Sequence, residues 1–114
     1  MKLKKIWKKI KNKRARKKLS PPFKLSKPLR IGVIGAGTQA TQLTAIAKNA
    51  GAEIVAVHDI KIEAAKKLAN LFNVEKSTTK LDEFFNVPMD GLLVCTIPTV
   101  RSEPIKRACE KKIH

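Results

Sequence analysis

Two closely spaced glycines carry the clearest chemical signal in this chain. Residues 35–40 read GAGTQA and follow a short apolar run, which gives the spacing G-x-G-x-x-A. The first glycine permits a tight turn, the second lets backbone N–H groups approach a ligand, and the small third residue lets a helix pack on a strand. The start of that helix supplies free N–H donors and partial positive charge. The segment therefore predicts a pyrophosphate site built by Gly35, Gly37, Thr38, Gln39 and Ala40.

Asp59 supplies the second part of the pattern. It stands 19 residues after Ala40, at the end of a second apolar run. A carboxylate there can accept hydrogen bonds from the ribose hydroxyls of an adenosine, and its charge disfavours the 2′-phosphate of NADP. We therefore expect a dinucleotide site that favours NAD. NADP is the alternative if Asp59 turns away, because His58 and Lys61 stand beside it.

Two other interpretations of these residues stay open. Gly35 and Gly37 could serve only a tight strand-to-helix turn, with Asp59 capping the next helix. Methyltransferases also combine a glycine-rich loop with an acid after the second strand. Their loop usually has a further glycine two residues after the second, where this chain has Gln39. The combined spacing favours the dinucleotide site.

Apolar periodicity predicts the elements that would position these residues. Nearly uniform apolar strands alternate with amphipathic helices, which is typical of a parallel sheet covered on both faces. The predicted fold class is therefore α/β, a doubly wound parallel sheet. Thr79 and Asp82 are spaced as a capping box for the third helix. The expected strands are Leu29–Gly35, Glu53–His58, Val74–Lys76 and Gly91–Thr96, and the expected helices are Thr38–Ala50, Lys61–Phe72, Thr79–Phe85 and Ser102–Lys112.

Charge divides the chain into two parts. Residues 1–30 hold 14 of the 25 Lys and Arg residues and no acid, whereas the remainder is nearly balanced. Prolines at 21, 22 and 28 indicate a linker. We therefore predict a basic tail and linker over 1–28 and a folded domain over 29–114. No apolar run reaches the roughly 18 residues of a membrane span, and no secretory signal is present, so a cytoplasmic location is expected.

The basic tail has an amphipathic beginning. Leu3, Ile6, Trp7 and Ile10 recur at helical spacing, with lysines between them. Such a segment can lie on an anionic membrane surface, and residues 1–19 are the candidate for peripheral binding there. Nucleic-acid binding is a less favoured alternative because Trp7 is the only aromatic residue of the segment. A solvated extension without a partner is the third interpretation.

The stretches flanking the glycine loop are similar to the Gfo/Idh/MocA family of oxidoreductases, in the N-terminal Rossmann domain. The similarity extends over nearly all of residues 29–114 through the stretches LRIGVIGAGTQA, AEIVAVHDIKIEAAKKLANLF, TTKLDEFF and MDGLLVCTIPTVRSEPIKRACEKKIH. It implies an NAD(P)-dependent oxidoreductase that acts on a sugar, cyclitol or related polyol. It also implies that Thr96, Ile97 and Pro98 form a loop beside the nicotinamide-side ribose.

The chain departs from the family pattern in two places that matter here. Arg101 stands where members usually have His in a P-x-x-H turn. The family continues beyond the position of His114 into a strand, a Glu-Lys-Pro motif and a substrate domain. We therefore expect an incomplete Rossmann domain with no catalytic residue, no metal site and no dehydrogenase activity of its own. The alternative is a non-catalytic nucleotide-binding module brought to a membrane surface or nucleic acid by its tail.

Overall fold

Strands and helices alternate along residues 27–114, the part of the chain that the computed structural model describes. The basic segment 1–19 and its amphipathic beginning lie outside the described residues. A 3₁₀ turn at Pro98–Val100 precedes the last helix. The strands are β1 (Arg30–Ile34), β2 (Glu53–His58), β3 (Ser77–Thr78) and β4 (Gly91–Val94), and the helices are α1 (Thr38–Asn49), α2 (Ile62–Leu71), α3 (Leu81–Phe85) and α4 (Ser102–Glu110).

All strand pairs in the sheet are parallel, in the order β3-β2-β1-β4. The chain therefore moves outward from β1 to β2 and β3, then crosses back to place β4 on the other side of β1. This reversal confirms the doubly wound α/β fold. In such sheets, the carboxyl ends of the strands on either side of the reversal leave a crevice between their loops. Here the crevice lies where β1, β2 and β4 end.

Each face of the sheet carries its own apolar core. One core contains Val33 and Val57 from the strands and Leu68 from α2, all almost fully buried. The other contains Ile34 and Phe84, which are also almost fully buried. Adjacent strand residues point to opposite faces, so both Val33 and Ile34 are covered. This two-sided burial explains why the strands are apolar without alternation.

The third strand and third helix differ from the sequence prediction. The strand is Ser77–Thr78 rather than Val74–Lys76, because only Ser77 and Thr78 pair with β2. The Thr79 capping box is also wrong: the N-cap is Lys80, without a side-chain cap. Thr78 instead accepts the Lys80 N–H at 3.0 Å and donates its hydroxyl to Glu83 at 2.7 Å. A threonine one residue earlier thus links β3 to α3.

The last described residue lies beside β4. The His114 N–H donates to the Asp90 carbonyl at 3.1 Å, and the Leu92 N–H donates to the His114 carbonyl at 2.6 Å. These two bonds follow the parallel ladder pattern. Within residues 27–114, no helix has the length and apolar composition needed to cross a membrane.

Candidate dinucleotide site

A cleft of about 540 Å³ opens at the carboxyl ends of β1, β2 and β4. Its lining comes from residues 35–37 of the glycine loop (residues 35–40), the end of β2, the loop after β4 and the start of α4. The walls include the exposed side chains of Ile60, Ile97 and Val100. The predicted site residues that line the cleft are Gly35, Gly37, Asp59, Thr96 and Ile97.

Gly35 is required by the fold itself. Its φ is +91°, in the left-handed region that favours glycine. A Cβ at this position would lie 2.7 Å from the carbonyl oxygen of Cys95. The Gly35 N–H donates to the His58 carbonyl at 2.8 Å. Gly35 therefore makes the turn out of β1 while touching the end of β4 and bonding to the end of β2.

Gly37 is not required by packing within the described residues. Its backbone is extended, with φ −83° and ψ −167°, a conformation open to any residue. A Cβ here would meet no protein atom within 4 Å. The added carbon would instead occupy space at the edge of the cleft. The absence of a side chain at residue 37 thus preserves room for a ligand.

Among residues 27–114, no acceptor is found for the backbone donors in the first turn of α1. Gly37 is the N-cap, no side chain caps the helix and no acid lies in the first turn. The first helical bond is the Thr41 N–H donating to the Gly37 carbonyl at 3.1 Å. Thr38 and Gln39 are exposed. Ala40 is fully buried, which explains why the third position of the pattern holds a small residue. The N–H groups at residues 38–40 are therefore available as donors at a helix N-terminus, which is the arrangement that an anion site requires.

Asp59 binds the glycine loop from the end of β2. Its Oδ2 accepts the Ala36 N–H at 2.8 Å, and its Oδ1 accepts the Lys61 N–H at 2.8 Å. A carboxylate has about four acceptor positions, so each oxygen can still accept a bond from a ligand hydroxyl. Turning Asp59 away would leave two backbone donors unpaired. The arrangement opposes the rotation that NADP binding would require.

His58 is held by the carbonyl of Thr79. Its ring is 7% exposed, and its Nε2 lies 3.1 Å from the Thr79 carbonyl, which can only accept, so this nitrogen carries the proton. The ring packs edge-on against Phe84. Burial lowers the pKa of His58, opposed by the Thr79 bond and by the charge of Asp59. Burial therefore disfavours the charged form of His58, which makes this ring a poor cation for a 2′-phosphate.

The loop after β4 forms the opposite wall. Thr96 and Ile97 line the cleft, whereas Pro98 starts the 3₁₀ turn and does not line it. Arg101 donates from Nε and Nη2 to the Thr96 carbonyl, at 2.9 and 2.7 Å. The sequence showed Arg101 only as a departure from a family pattern. No spacing rule could have indicated this contact.

The residues present fit a dinucleotide. Two buried polar atoms in cleft-lining residues, His58 Nδ1 and Thr96 Oγ1, have no partner within the described chain. Apolar side chains suit a flat base, free N–H groups suit a pyrophosphate, and the Asp59 carboxylate suits ribose hydroxyls. Burial raises the pKa of Cys95, which argues against a thiolate nucleophile there. Residues 27–114 contain no cluster of metal-ligating side chains.

A protein-family model matches most of this chain. The model described as "Oxidoreductase family, NAD-binding Rossmann fold", of the GFO_IDH_MocA group, matches residues 29–114. A search of curated proteins finds no match.

Solved structures share this fold. A myo-inositol dehydrogenase from Corynebacterium glutamicum is 30% identical with a TM-score of 0.68, over 76% of this chain and 26% of that one. A myo-inositol dehydrogenase from Lactobacillus casei, in complex with NAD(H) and myo-inositol, is 24% identical with a TM-score of 0.69, over 76% and 27%. An oxidoreductase from Agrobacterium radiobacter, in complex with NAD⁺, L-tartaric acid and magnesium, is 22% identical with a TM-score of 0.69, over 76% and 26%. The chain spans about a quarter of their length.

Proposed function

Because the chain belongs to the Gfo/Idh/MocA oxidoreductase family, with its NAD-binding Rossmann fold, we propose that residues 29–114 form the NAD-binding domain of a sugar or polyol dehydrogenase. Residues 1–28 are, in this proposal, a separate tail and linker. When bound, the nicotinamide ring of NAD would accept or donate a hydride. The residues of this chain bind and orient that cofactor, and we assign none of them to proton transfer.

The contrast between the two glycines carries the proposal. Gly35 is fixed by the fold, whereas the space beside Gly37 serves no contact among the described residues. That space adjoins the uncapped start of α1. We assign the pyrophosphate to the N–H groups of this turn, which comprises Gly37, Thr38, Gln39 and Ala40.

The remaining assignments follow the two walls of the cleft. Asp59 accepts bonds from the adenosine ribose hydroxyls while it holds Ala36 and Lys61. Thr96, Ile97 and Pro98 lie on the nicotinamide side. NAD is preferred over NADP, because Asp59 is held by two backbone N–H groups and because burial disfavours the charged form of His58.

The substrate class is inferred from the named relatives. Two of the similar structures are myo-inositol dehydrogenases, one of them in complex with myo-inositol. We therefore propose that the enzyme in which this domain binds the cofactor acts on a polyhydroxylated substrate, a sugar or cyclitol.

Binding of NADH to the 114-residue chain tests the proposal. We expect enhancement of NADH fluorescence with saturable binding, and binding of NADPH at least tenfold weaker because of Asp59, a difference of about 1.4 kcal/mol. Gly37→Ala is the matched variant: it should keep the melting temperature and weaken NADH binding about tenfold. Absence of NADH binding by the folded wild-type chain contradicts the proposal, as does full binding by Gly37→Ala.

A second binding activity is proposed for the basic segment 1–19. Fourteen Lys and Arg residues precede Ile31 without a single acid, and Leu3, Ile6, Trp7 and Ile10 have helical spacing. This combination fits reversible attachment to an anionic membrane surface. Co-sedimentation with phosphatidylserine vesicles but not with neutral phosphatidylcholine vesicles is expected. Salt-sensitive RNA retention without vesicle binding would reverse this assignment in favour of nucleic acid.

A further inference from the structure

Arg101 holds the loop after β4 through its guanidinium group, which has no assigned role in cofactor binding above. Its guanidinium places two donors, Nε and Nη2, on the single carbonyl oxygen of Thr96 at 2.9 and 2.7 Å. The turn between them is closed by the Val100 N–H donating to the Ile97 carbonyl at 3.2 Å. The last residue of the β4 loop (residues 96–101) thus bonds to the first residue of the same loop.

The start of this loop is fixed against the glycine loop. The Cys95 N–H donates to the Ile34 carbonyl at 2.7 Å, and the Cys95 carbonyl lies against Gly35. Beyond Cys95 the ladder between β1 and β4 ends. The orientation of the Thr96–Ile97 peptide therefore depends on the group that holds the Thr96 carbonyl, and that group is Arg101.

Peptide geometry links this carbonyl to a backbone donor. In a planar trans peptide, the Thr96 C=O and the Ile97 N–H point in opposite directions. Thr96 and Ile97 line the cleft, whereas Arg101 does not. The carbonyl is directed to Arg101, so the Ile97 N–H is directed to the other side. Within residues 27–114, this N–H has no acceptor.

We propose, on the basis of the proposed function, that Arg101 is a positioning residue for the dinucleotide. By holding the Thr96 carbonyl outside the cleft, it keeps the Ile97 N–H turned into the cleft, where this N–H donates to an oxygen of the bound cofactor. Arg101 does not itself touch the cofactor. Its removal frees the Thr96–Ile97 peptide to rotate and removes the donor from its productive position.

The geometry of an arginine side chain suits this role. Its planar fork presents two N–H groups in fixed geometry, so both donors can converge on one oxygen without further ordering. A lysine would place a single flexible charge near the carbonyl and would fix the peptide plane less well.

NADH titration of the full 114-residue chain, labelled with ¹⁵N, tests the proposal. Arg101→Ala should weaken binding about tenfold and abolish the NADH-induced shift of the Ile97 amide resonance, since one oriented bond is lost. Arg101→Lys should weaken binding about threefold and retain part of that shift. The matched control is Arg107→Ala: Arg107 lies on α4, which begins directly after Arg101, and pairs with Asp82 and Glu103, but it does not line the cleft. Its affinity should stay within about twofold of wild type.

The outcomes separate this proposal from the proposed function. Wild-type binding that Arg101→Ala and Arg101→Lys leave unchanged, with the Ile97 shift intact, overturns the role of Arg101 while NAD binding stands. Failure of the folded wild-type chain to bind NADH overturns the proposed function. In that case, amide hydrogen exchange in the free protein still tests the loop contact: exchange over residues 97–100 should be faster in the Arg101 variants than in Arg107→Ala, and equal rates overturn it. If Arg101→Ala does not fold, Arg101→Lys decides by the same readouts.

Discussion

The two walls of the cleft are held by different means. On the β2 side, the glycine loop is bound by the His58 carbonyl and by the Asp59 carboxylate, both at the strand end. On the β4 side, the loop is held by the side chain of Arg101, six residues beyond Cys95. The β2 wall is thus an extension of the strand, whereas the Thr96 carbonyl in the β4 wall is held by a side chain.

This difference has a consequence for how each wall can vary. A wall bonded to strand backbone cannot move without breaking hydrogen bonds at the end of the strand. A wall that depends on one side chain can be reoriented by one substitution while the fold persists. Substitutions on the β2 side should therefore lower stability and cofactor affinity together. Substitutions at Arg101 should lower cofactor affinity while stability is retained.

The largest expected effect is at Gly35, where the two walls meet. Gly35→Ala would place a Cβ 2.7 Å from the Cys95 carbonyl in a left-handed backbone. Strain and overpacking together should lower the free energy of unfolding by about 3 kcal/mol, measured by urea denaturation. Gly37→Ala is the control and should change it by less than about 0.5 kcal/mol. Equal losses at the two positions would remove the distinction between a structural and a ligand-facing glycine.

The next effect concerns Asp59 on the β2 wall. Asp59→Ala leaves the N–H groups of Ala36 and Lys61 without their carboxylate acceptors and should cost about 2 kcal/mol of stability. NADH affinity should fall in parallel. Thermal denaturation and fluorescence titration of the same sample measure both, with Glu75→Gln, at an exposed position, as the charge-matched control. Lost affinity with unchanged stability would show that Asp59 acts on the cofactor alone.

A smaller, pH-dependent effect is expected at His58. Burial lowers the pKa of this ring in the folded state, so the unfolded chain binds a proton at a higher pH than the folded one. Stability should be complete above the ordinary pKa near 6.5 and should decrease as pH falls below it. His58→Gln keeps a donor for the Thr79 carbonyl but does not titrate. Urea midpoints between pH 7.5 and 5.5 should fall in wild type and fall less in the variant; parallel curves would contradict this account.

The smallest effect is expected at the opposite end of the strands. Arg30 donates to Asp90 from its backbone and guanidinium, which lowers the pKa of Asp90 to about 2. This contribution to stability should be present above the ordinary pKa near 4 and should be lost as pH falls from there toward 2. Because the pair is exposed, the change should be slight. Acid denaturation of Asp90→Asn beside wild type measures it, and identical acid midpoints would show that the pair adds nothing.

Much of the fold follows from local sequence. β2 spans Glu53–His58 as predicted, and α1 begins at Thr38 as predicted. These elements are long enough for apolar periodicity to define them. The strand at Ser77–Thr78 was misplaced, because two residues carry no periodicity and only pairing with β2 defines them. The cap at Thr79 was wrong for a related reason: Thr78 and Thr79 are chemically alike, and their positions relative to β3 decide which one bonds to Glu83.

The amino-acid sequence alone determined the chain's class, its glycine loop and the acid that follows it, because these depend on residue type at fixed short spacing. It also placed Asp59 at the end of a strand. Only the tertiary structure decided that Asp59 holds the Ala36 N–H, that His58 is buried against Thr79, and that Arg101 fixes the Thr96 carbonyl. Two of these contacts join residues more than 20 positions apart, and the third depends on how a turn folds back. The first two arise because the sheet brings the ends of separate strands together, and the third arises from the path of one loop; residue type at short spacing predicts neither.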